Sequence, residues 1–356
     1  MRKKILSLIS CIMLTVFLAS GCGDRIDVES PTVQEGQKET LTIGFSQVGS
    51  ESDWRMASTT SVRSAFSEGS RYNLIYDDAQ QKQENQIKAI RKFIDQDVDY
   101  ILLDPITESG WDSALQEARD SGIPVIVCDR RVAVEDKDLY TAWIGSDFEL
   151  EGKRACEWIR RFFEEKGYHE AVNIVHIQGT LGATAQIGRS AALEEAVRNN
   201  PKWRLLDQQT GEFTQARGRE VMEDMLKRFG DRINLVFCEN DNEAYGAIEA
   251  IRAAGMRPGT DIENGEIMIV SFDSTRKGLE YTLDGTIALN TECSPLYGPR
   301  LTELVDSLER GEKLPKDTFV EEGQFSTYSE VDSVQVDGKE YEVTPLTREV
   351  IDERAY

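Results

Sequence analysis

The sequence predicts an α/β protein built as two doubly wound parallel-sheet lobes. Three observations carry that prediction. Short apolar runs alternate with amphipathic segments from residue 41 onward. The rhythm restarts at AVNIVHIQ (171–178), so the chain has two similar halves. The apolar runs of both halves end on the same kinds of polar residue. Alternating strand and helix patterns specify a parallel sheet covered by helices on both faces.

In the first half, LTIGFS (41–46) reads as a strand and residues 53 to 68 as a helix. NLIYDD (73–78) is a strand. QENQIKAIRKFIDQ (83–96) puts Ile87, Ile90, Phe93 and Ile94 on one helical face. DYILLD, SGWDSALQEARDSG and PVIVCD continue as strand, helix and strand. TAWIGSD is a short strand leading into a helix at LEGKRACEWIRRFFEEKG. In the second half AVNIVHIQ, RLLDQQ, NLVFCEN, EIMIVSFD and TIALNTE are strands. Helices at 184–199, 215–229, 241–255 and 276–284 separate them, and PLYGPRLTELVDSLERG follows as a helix. The last 40 residues alternate more weakly and read as edge strands or a strap between the lobes.

Arg2-Lys3-Lys4 and the apolar run ILSLISCIMLTVFLA (5–19) read as a secretory signal. That run has 15 residues, short of the roughly 20 that a spanning helix needs. Cys22 directly after Ala19-Ser20-Gly21 resembles a lipoprotein signal, in which the cysteine becomes the lipidated first residue. Leu18 stands one place earlier than that pattern puts it, and the plainer reading is an ordinary secretory signal. Residues 22 to 40 read as a flexible tether. The body of about 315 residues suffices for two domains.

Formal charge is −23, and −26 without Arg2, Lys3 and Lys4. This excludes a general nucleic-acid binder, which needs a basic footprint. Cys128, Cys156, Cys238 and Cys293 are widely spaced without C-x-x-C, which argues against a zinc knuckle or redox pair. Buried free thiols are the plain reading, with one disulfide left open. His176 lies inside a strand-like run, where core packing is its expected role. No metal or cofactor is expected.

The stretch GFSQVGSESDWR (44–55) has the glycine spacing of a phosphate loop. Ser50 and Glu51 stand where such a loop needs Lys and Ser/Thr. A carboxylate there repels phosphate. Trp54 and Arg55 suit an uncharged ring that is stacked and hydrogen-bonded. Whether Glu51 touches that ring or only shapes the loop is left open. In open α/β sheets ligands bind beyond the carboxyl ends of the strands. Those ends carry Asp129-Arg130, Glu239-Asn240-Asp241, Asp273 and Glu292, with Arg189 after NIVHIQ and Phe213 after RLLDQQ. Carboxylates accept, guanidiniums donate and amides do both, so together they pair every hydroxyl of a sugar. Each residue has a plainer reading too: Asp241 and Asp273 as caps, Trp54 as core, Arg189 as a surface helix residue, Phe213 under a loop.

With these residues in place, the chain from about 41 to 320 resembles the periplasmic sugar-binding proteins of the ribose-binding type. Among them it is most similar to the galactofuranose-binding components of bacterial ABC transporters. TIGFSQVGSESDWR, DAQQKQENQIKAIR, CDRR, EGKRACEW, QGTLGAT, GEFTQARGREVME, ENDNEAYGAIEAI and SFDST carry the likeness. The resemblance implies two lobes joined by a three-stranded hinge. The first is 41–146 plus 293–315, the second 147–292 plus 316–356. It implies Trp54, Arg55, Asp129, Arg130, Arg189, Phe213, Asn240, Asp273 and Glu292 as ligand-binding residues. Glu292 stands where ribose binders often have a neutral amide, which makes it a specificity candidate.

The function so implied is capture of a monosaccharide, a furanose such as galactofuranose favoured, and delivery to an ABC permease. The protein is expected to be a monomer outside the cytoplasm, held to the membrane by lipid. The alternative is a sugar sensor coupled to a membrane histidine kinase or chemoreceptor. An enzyme is disfavoured: no G-x-S-x-G elbow or H-E-x-x-H is present. A repressor needs a basic DNA-binding head, and a secretion signal stands there instead.

Overall fold

The structure, a computed structural model, describes residues 40–67 and 71–356. The expected signal, Cys22 and nearly all of the expected tether lie outside the described residues, as does the last residue of the first expected helix. The first half contains β1 (Leu41–Gln47), α1 (Asp53–Ala65), β2 (Tyr72–Asp78), α2 (Gln83–Asp95), β3 (Tyr100–Leu103), α3 (Asp112–Asp120), β4 (Val125–Cys128) and β5 (Ala142–Gly145). The second contains α4 (Phe148–Glu165), β6 (Val172–Gln178), α5 (Thr184–Asn199), β7 (Trp203–Thr210), α6 (Gln215–Phe229), β8 (Leu235–Cys238) and α7 (Asp241–Ala253). It continues through β9 (Arg257–Pro258), β10 (Glu266–Asp273), α8 (Arg276–Leu283) and β11 (Leu289–Glu292). The chain ends with α9 (Gly298–Glu309), β12 (Asp317–Phe319), β13 (Gln324–Ser326), β14 (Ser333–Val336), β15 (Lys339–Glu342), β16 (Thr344–Pro345) and α10 (Arg348–Asp352).

The two sheets repeat one strand order. The first runs β2-β1-β3-β4-β5-β12 and the second β7-β6-β8-β10-β11-β13-β16. All these pairs are parallel except β11 with β13. Parallel strands buried on both faces read as unbroken apolar runs. Accordingly β3 (YILL), β4 (VIVC) and β8 (LVFC) are buried throughout. Each sheet carries a core on either face. In the first lobe Phe45, Val62 and Leu301 pack on one side, and Ile90, Phe93 and Leu115 on the other. The apolar face expected for α2 is the one it buries.

The chain crosses between lobes three times: after β5, after β11 and after β12. The expectation of two doubly wound lobes is met. One boundary moves. Residues 316–356 were expected with the second lobe, but β12 pairs with β5 through Asp317↔Trp143 and Phe319↔Gly145. The third crossing therefore follows Phe319. This edge strand is three residues long, too short for its alternation to show in the sequence. The remaining tail supplies edge strands to the second sheet and a β14–β15 hairpin that packs on α4.

Gly44 of the opening loop has a packing cause. Neither Gly44 nor Gly49 adopts a positive φ. Gly44 lies within β1, and a Cβ there would stand 2.5 Å from Cγ of the buried Phe93 ring on α2. Gly44→Ala is expected to lower stability by about 1–3 kcal/mol, the usual cost of overpacking. Urea unfolding would show a lower midpoint at an unchanged slope.

Candidate functional site

A cavity between the lobes encloses about 300 Å³ of space free of protein atoms, part of it open to solvent. Nine of the ten expected residues line it: Glu51, Trp54, Arg55, Asp129, Arg130, Arg189, Phe213, Asn240 and Asp273. Ser52, Phe148, Ala185 and Cys293 complete the wall. The sites lie beyond the carboxyl ends of both sheets, as the strand order requires.

Arg55 organises the first lobe's wall. Ser52 caps α1 by accepting from Arg55 N at 3.1 Å, which starts the helix with Trp54 and Arg55 facing the strand ends. The guanidinium is 2% exposed. Its Nε donates to Glu51 Oε1 at 3.0 Å and Nη2 to Asp129 Oδ2 at 3.0 Å. Nη1 donates to Gln47 Oε1 at 3.2 Å and also to Asp104 Oδ2. Burial alone lowers its proton affinity, but Asp104, Glu51 and Asp129 together raise it well above the ordinary value. Burial pushes Asp104 well above the usual carboxylate range, against the pull of Arg55.

Arg130 is held differently. Its Nη1 donates to the Ile106 carbonyl at 2.9 Å, and the guanidinium lies 5.1 Å from the centre of the Phe213 ring. Its Nε is 3.9 Å from Asp129, and Nη2 is 4.0 Å from Glu51. These are ion-pair contacts outside hydrogen-bond reach, so both groups keep donors to offer. Trp54 donates from Nε1 to the Cys293 carbonyl at 2.6 Å, which ties the first lobe to the second crossing.

The second lobe mirrors this with Arg189. Its Nε donates to Glu151 Oε2 at 2.8 Å, and Nη1 donates to the Glu239 carbonyl. The guanidinium lies 4.6 Å from the Phe272 ring and 5.5 Å from that of Phe148. Nη2 stands 3.9 Å from Asp273 Oδ1. Burial pushes Asp273 well above the carboxylate range, opposed by Arg189.

Asp129, Phe213 and Asp273 adopt positive φ of 59°, 59° and 98°. Non-glycine residues rarely do so, at a cost of roughly 1–3 kcal/mol each. Phe213 is retained by neighbours on α7: Glu243 Oε1 accepts from its N at 2.9 Å, and its carbonyl accepts from Asn240 Nδ2 at 3.1 Å. A Cβ on Gly179 would lie 1.9 Å from Phe213 Cζ, so the ring occupies the space that glycine leaves.

The plain readings hold for some residues. The capping expected of Asp241 and Asp273 falls to nearby residues: Asn240 caps α7, accepting from Glu243 N at 2.8 Å while also lining the cavity, and Thr275 caps α8. Asp241 lies beneath the wall and accepts from Ser271, Thr275 and Asn290. Burial, partly offset by those hydrogen bonds, lifts it to about 6. His176 is buried and within 2.9 Å of Glu239. The four described cysteines are free and buried.

Glu292 is the correction. It does not line the cavity. Its Oε1 accepts from Arg354 Nη1 at 2.7 Å and Tyr356 OH at 2.9 Å, and Oε2 from Gly323 N at 2.7 Å. Successive strand residues face opposite ways, and the neighbour Cys293 takes the cavity side. Asp104 and Phe148 were missed although each stands at a strand end, the signal already used for the others. Glu151 and Glu243 lie within helical runs and carry no such signal.

Arg55→Ala strands three carboxylates at the strand ends and is expected to cost about 3–5 kcal/mol. Asp104, left with only the weaker pull of Arg130, rises further. A raised folded-state pKa confers stability that is lost as pH rises, so the deficit should shrink from pH 8 to pH 5. Thermal unfolding across that range checks it.

Six charged side chains line the cavity, three carboxylates and three guanidiniums, so their formal charges cancel. With charges of both signs in equal number and interleaved donors and acceptors between aromatic rings, the wall suits an uncharged, hydroxyl-rich ligand. The periplasmic binding protein domain model matches residues 43–308. The chain is 40% identical over 276 residues to galactofuranose-binding protein YtfQ of Escherichia coli, covering 77% of this chain and 82% of that one. It is 42% identical to a Mycobacterium smegmatis protein solved with β-D-fucofuranose, at a TM-score of 0.76 over 81% of this chain and 91% of that one. It is 39% identical to the binding component of the arabinose ABC transporter of Shewanella sp. ANA-3, bound to α- and β-L-arabinofuranose. There the TM-score is 0.74 over 80% of this chain and 91% of that one. The chain belongs to the periplasmic binding protein family, whose members bind solutes rather than transform them.

Proposed function

We propose that the protein captures a monosaccharide between its lobes, a furanose such as galactofuranose favoured, and delivers it to an ABC transporter permease. The charge-balanced cavity walled by Trp54, Phe148 and Phe213 is the observation that supports this most. Hydrogen bonds to charged groups contribute roughly 1.5–3 kcal/mol each, so a few suffice for micromolar affinity, about −8 kcal/mol. The relatives named above bind furanoses, and their likeness spans both lobes.

Arg130 and Arg189 are the donors in this reading, Asp129 and Asp273 the acceptors, and the rings stack on C–H faces. Arg55 and Glu51 hold the first wall in place. Closure brings the two sets together. The described lobes meet through a few polar contacts: Asp53 N to Asn242 Oδ1 at 3.1 Å, Glu108 N to the Gly182 carbonyl at 2.9 Å, and Arg131 N to Thr184 Oγ1 at 3.0 Å. Such contacts suit reversible hinge closure.

The family works outside the cytoplasm. Among the described residues no helix is long and apolar enough to cross a membrane. A lipid anchor at Cys22 and a monomeric body complete the proposal.

Calorimetry with L-arabinose, D-galactose and D-ribose, each equilibrated to include its furanose forms, should give heat with at least one. Silence from all three would end the furanose reading. Arg130→Ala should weaken the bound sugar by about 2 kcal/mol, roughly 30-fold. An unchanged affinity would remove Arg130 from the contact set. Cys22→Ser should shift the protein from the membrane fraction to the soluble fraction of expressing cells.

A further inference from the structure

Glu322 is where the three crossings meet. It lies on the third. Its Oε1 accepts from Ser146 Oγ of the first at 2.7 Å and from Ser294 N of the second at 2.6 Å. Its carbonyl accepts from Arg154 Nη1 of α4 at 2.9 Å. One residue thus fastens all three crossings and the first helix of the second lobe.

Glu151 stands opposite. Carboxylate oxygens of Glu151 and Glu322 lie within 4.8 Å of each other and of Cys293 Sγ. Glu151 is 2% exposed. Its Oε2 holds Arg189 through Nε at 2.8 Å and Nη2 at 2.7 Å. Its Oε1 is buried without a hydrogen-bond partner. Two ionised carboxylates this close repel strongly where water is excluded. One proton held by the pair removes a charge.

We propose that Glu322 is a positioning residue of the cavity: it pins the three crossings and, sharing one proton with Glu151, holds Arg189 in place. Only the link to ligand affinity rests on the sugar-capture reading. The charged and titratable groups facing the pair are Arg154, Arg189, Asp273, Cys293, Tyr297 and Glu292, the last already paired with Arg354. Burial first, then the like charge of Glu151, pushes Glu322 well above the carboxylate range; burial raises Glu151 against Arg189. A proton fits better than a metal cation. Two guanidiniums already face the pair, and burial pushes the Cys293 thiol up, which keeps it protonated and a poor ligand.

Glu322→Gln retains an oxygen for Ser146 and Ser294 and gives Glu151 a permanent N–H donor. Glu322→Ala removes both. Thermal unfolding without sugar, from pH 5 to 8.5, reads the proton. The shared proton raises folded-state proton affinity, so its stabilisation is present at low pH and lost as pH rises above the glutamate range of about 4.3. Wild type should lose stability relative to Glu322→Gln by up to tenfold in the folding equilibrium per pH unit in that window. Parallel profiles would overturn the shared proton, as would one equivalent of Zn²⁺ bound by wild type and not by Glu322→Gln. For positioning, calorimetry with L-arabinose should find Glu322→Gln binding at least tenfold tighter than Glu322→Ala. Equal affinities would overturn it. If no variant and no wild type binds any sugar, the furanose reading falls while the unfolding profiles still decide the proton.

Discussion

The first lobe's half of the cavity depends on one buried guanidinium. Arg55 is bonded to Glu51 and Asp129 and to Asp104, carboxylates brought by the ends of three different strands or their loops. An unpaired ion in that place costs several kcal/mol, so the carboxylates must arrive together. They do so only in one sheet register, with Ile43 beside Tyr100 and Ile101 beside Val125. A slip of one residue reverses the facing of every side chain on a strand. The ion cluster and the strand order therefore specify each other.

The second lobe meets the same constraint with different partners. Arg189 sits between aromatic rings, with Glu151 on one edge and a main-chain carbonyl on another. Because each lobe supplies carboxylate partners for its own buried guanidiniums, the ligand need bring no charge. That is the physical ground for an uncharged cargo. It also explains the strained turns. Asp129 and Asp273 depart from ordinary backbone so that their carboxylates face inward, and the surrounding bonds hold them there.

Reading residues after each apolar run located most of the wall because a doubly wound sheet gathers its strand ends at one edge. Glu292 shows the limit of that rule. Edge position says nothing about which way a side chain faces, and alternation turned this one toward Arg354 and Tyr356. Asn240 shows a second limit, since capping a helix and lining a cavity are compatible. The glycines of the opening loop were legible as a pattern, but the cause of Gly44 lay in a helix almost fifty residues away.

Periodicity and composition by themselves determined the two α/β lobes, the order of their elements through α9 apart from the two-residue β9, and the exclusion of nucleic acid as a partner. These are local or summed properties, and burial of apolar faces leaves them written along the chain. Tertiary structure alone decided the support: Asp104 beneath Arg55, Glu243 beneath Phe213, Glu151 behind Arg189, and Glu322 at the meeting of the crossings. It also placed β12 in the first sheet. Those contacts join residues far apart in sequence, and a buried charge selects its partner by geometry in the folded chain, which no single segment encodes.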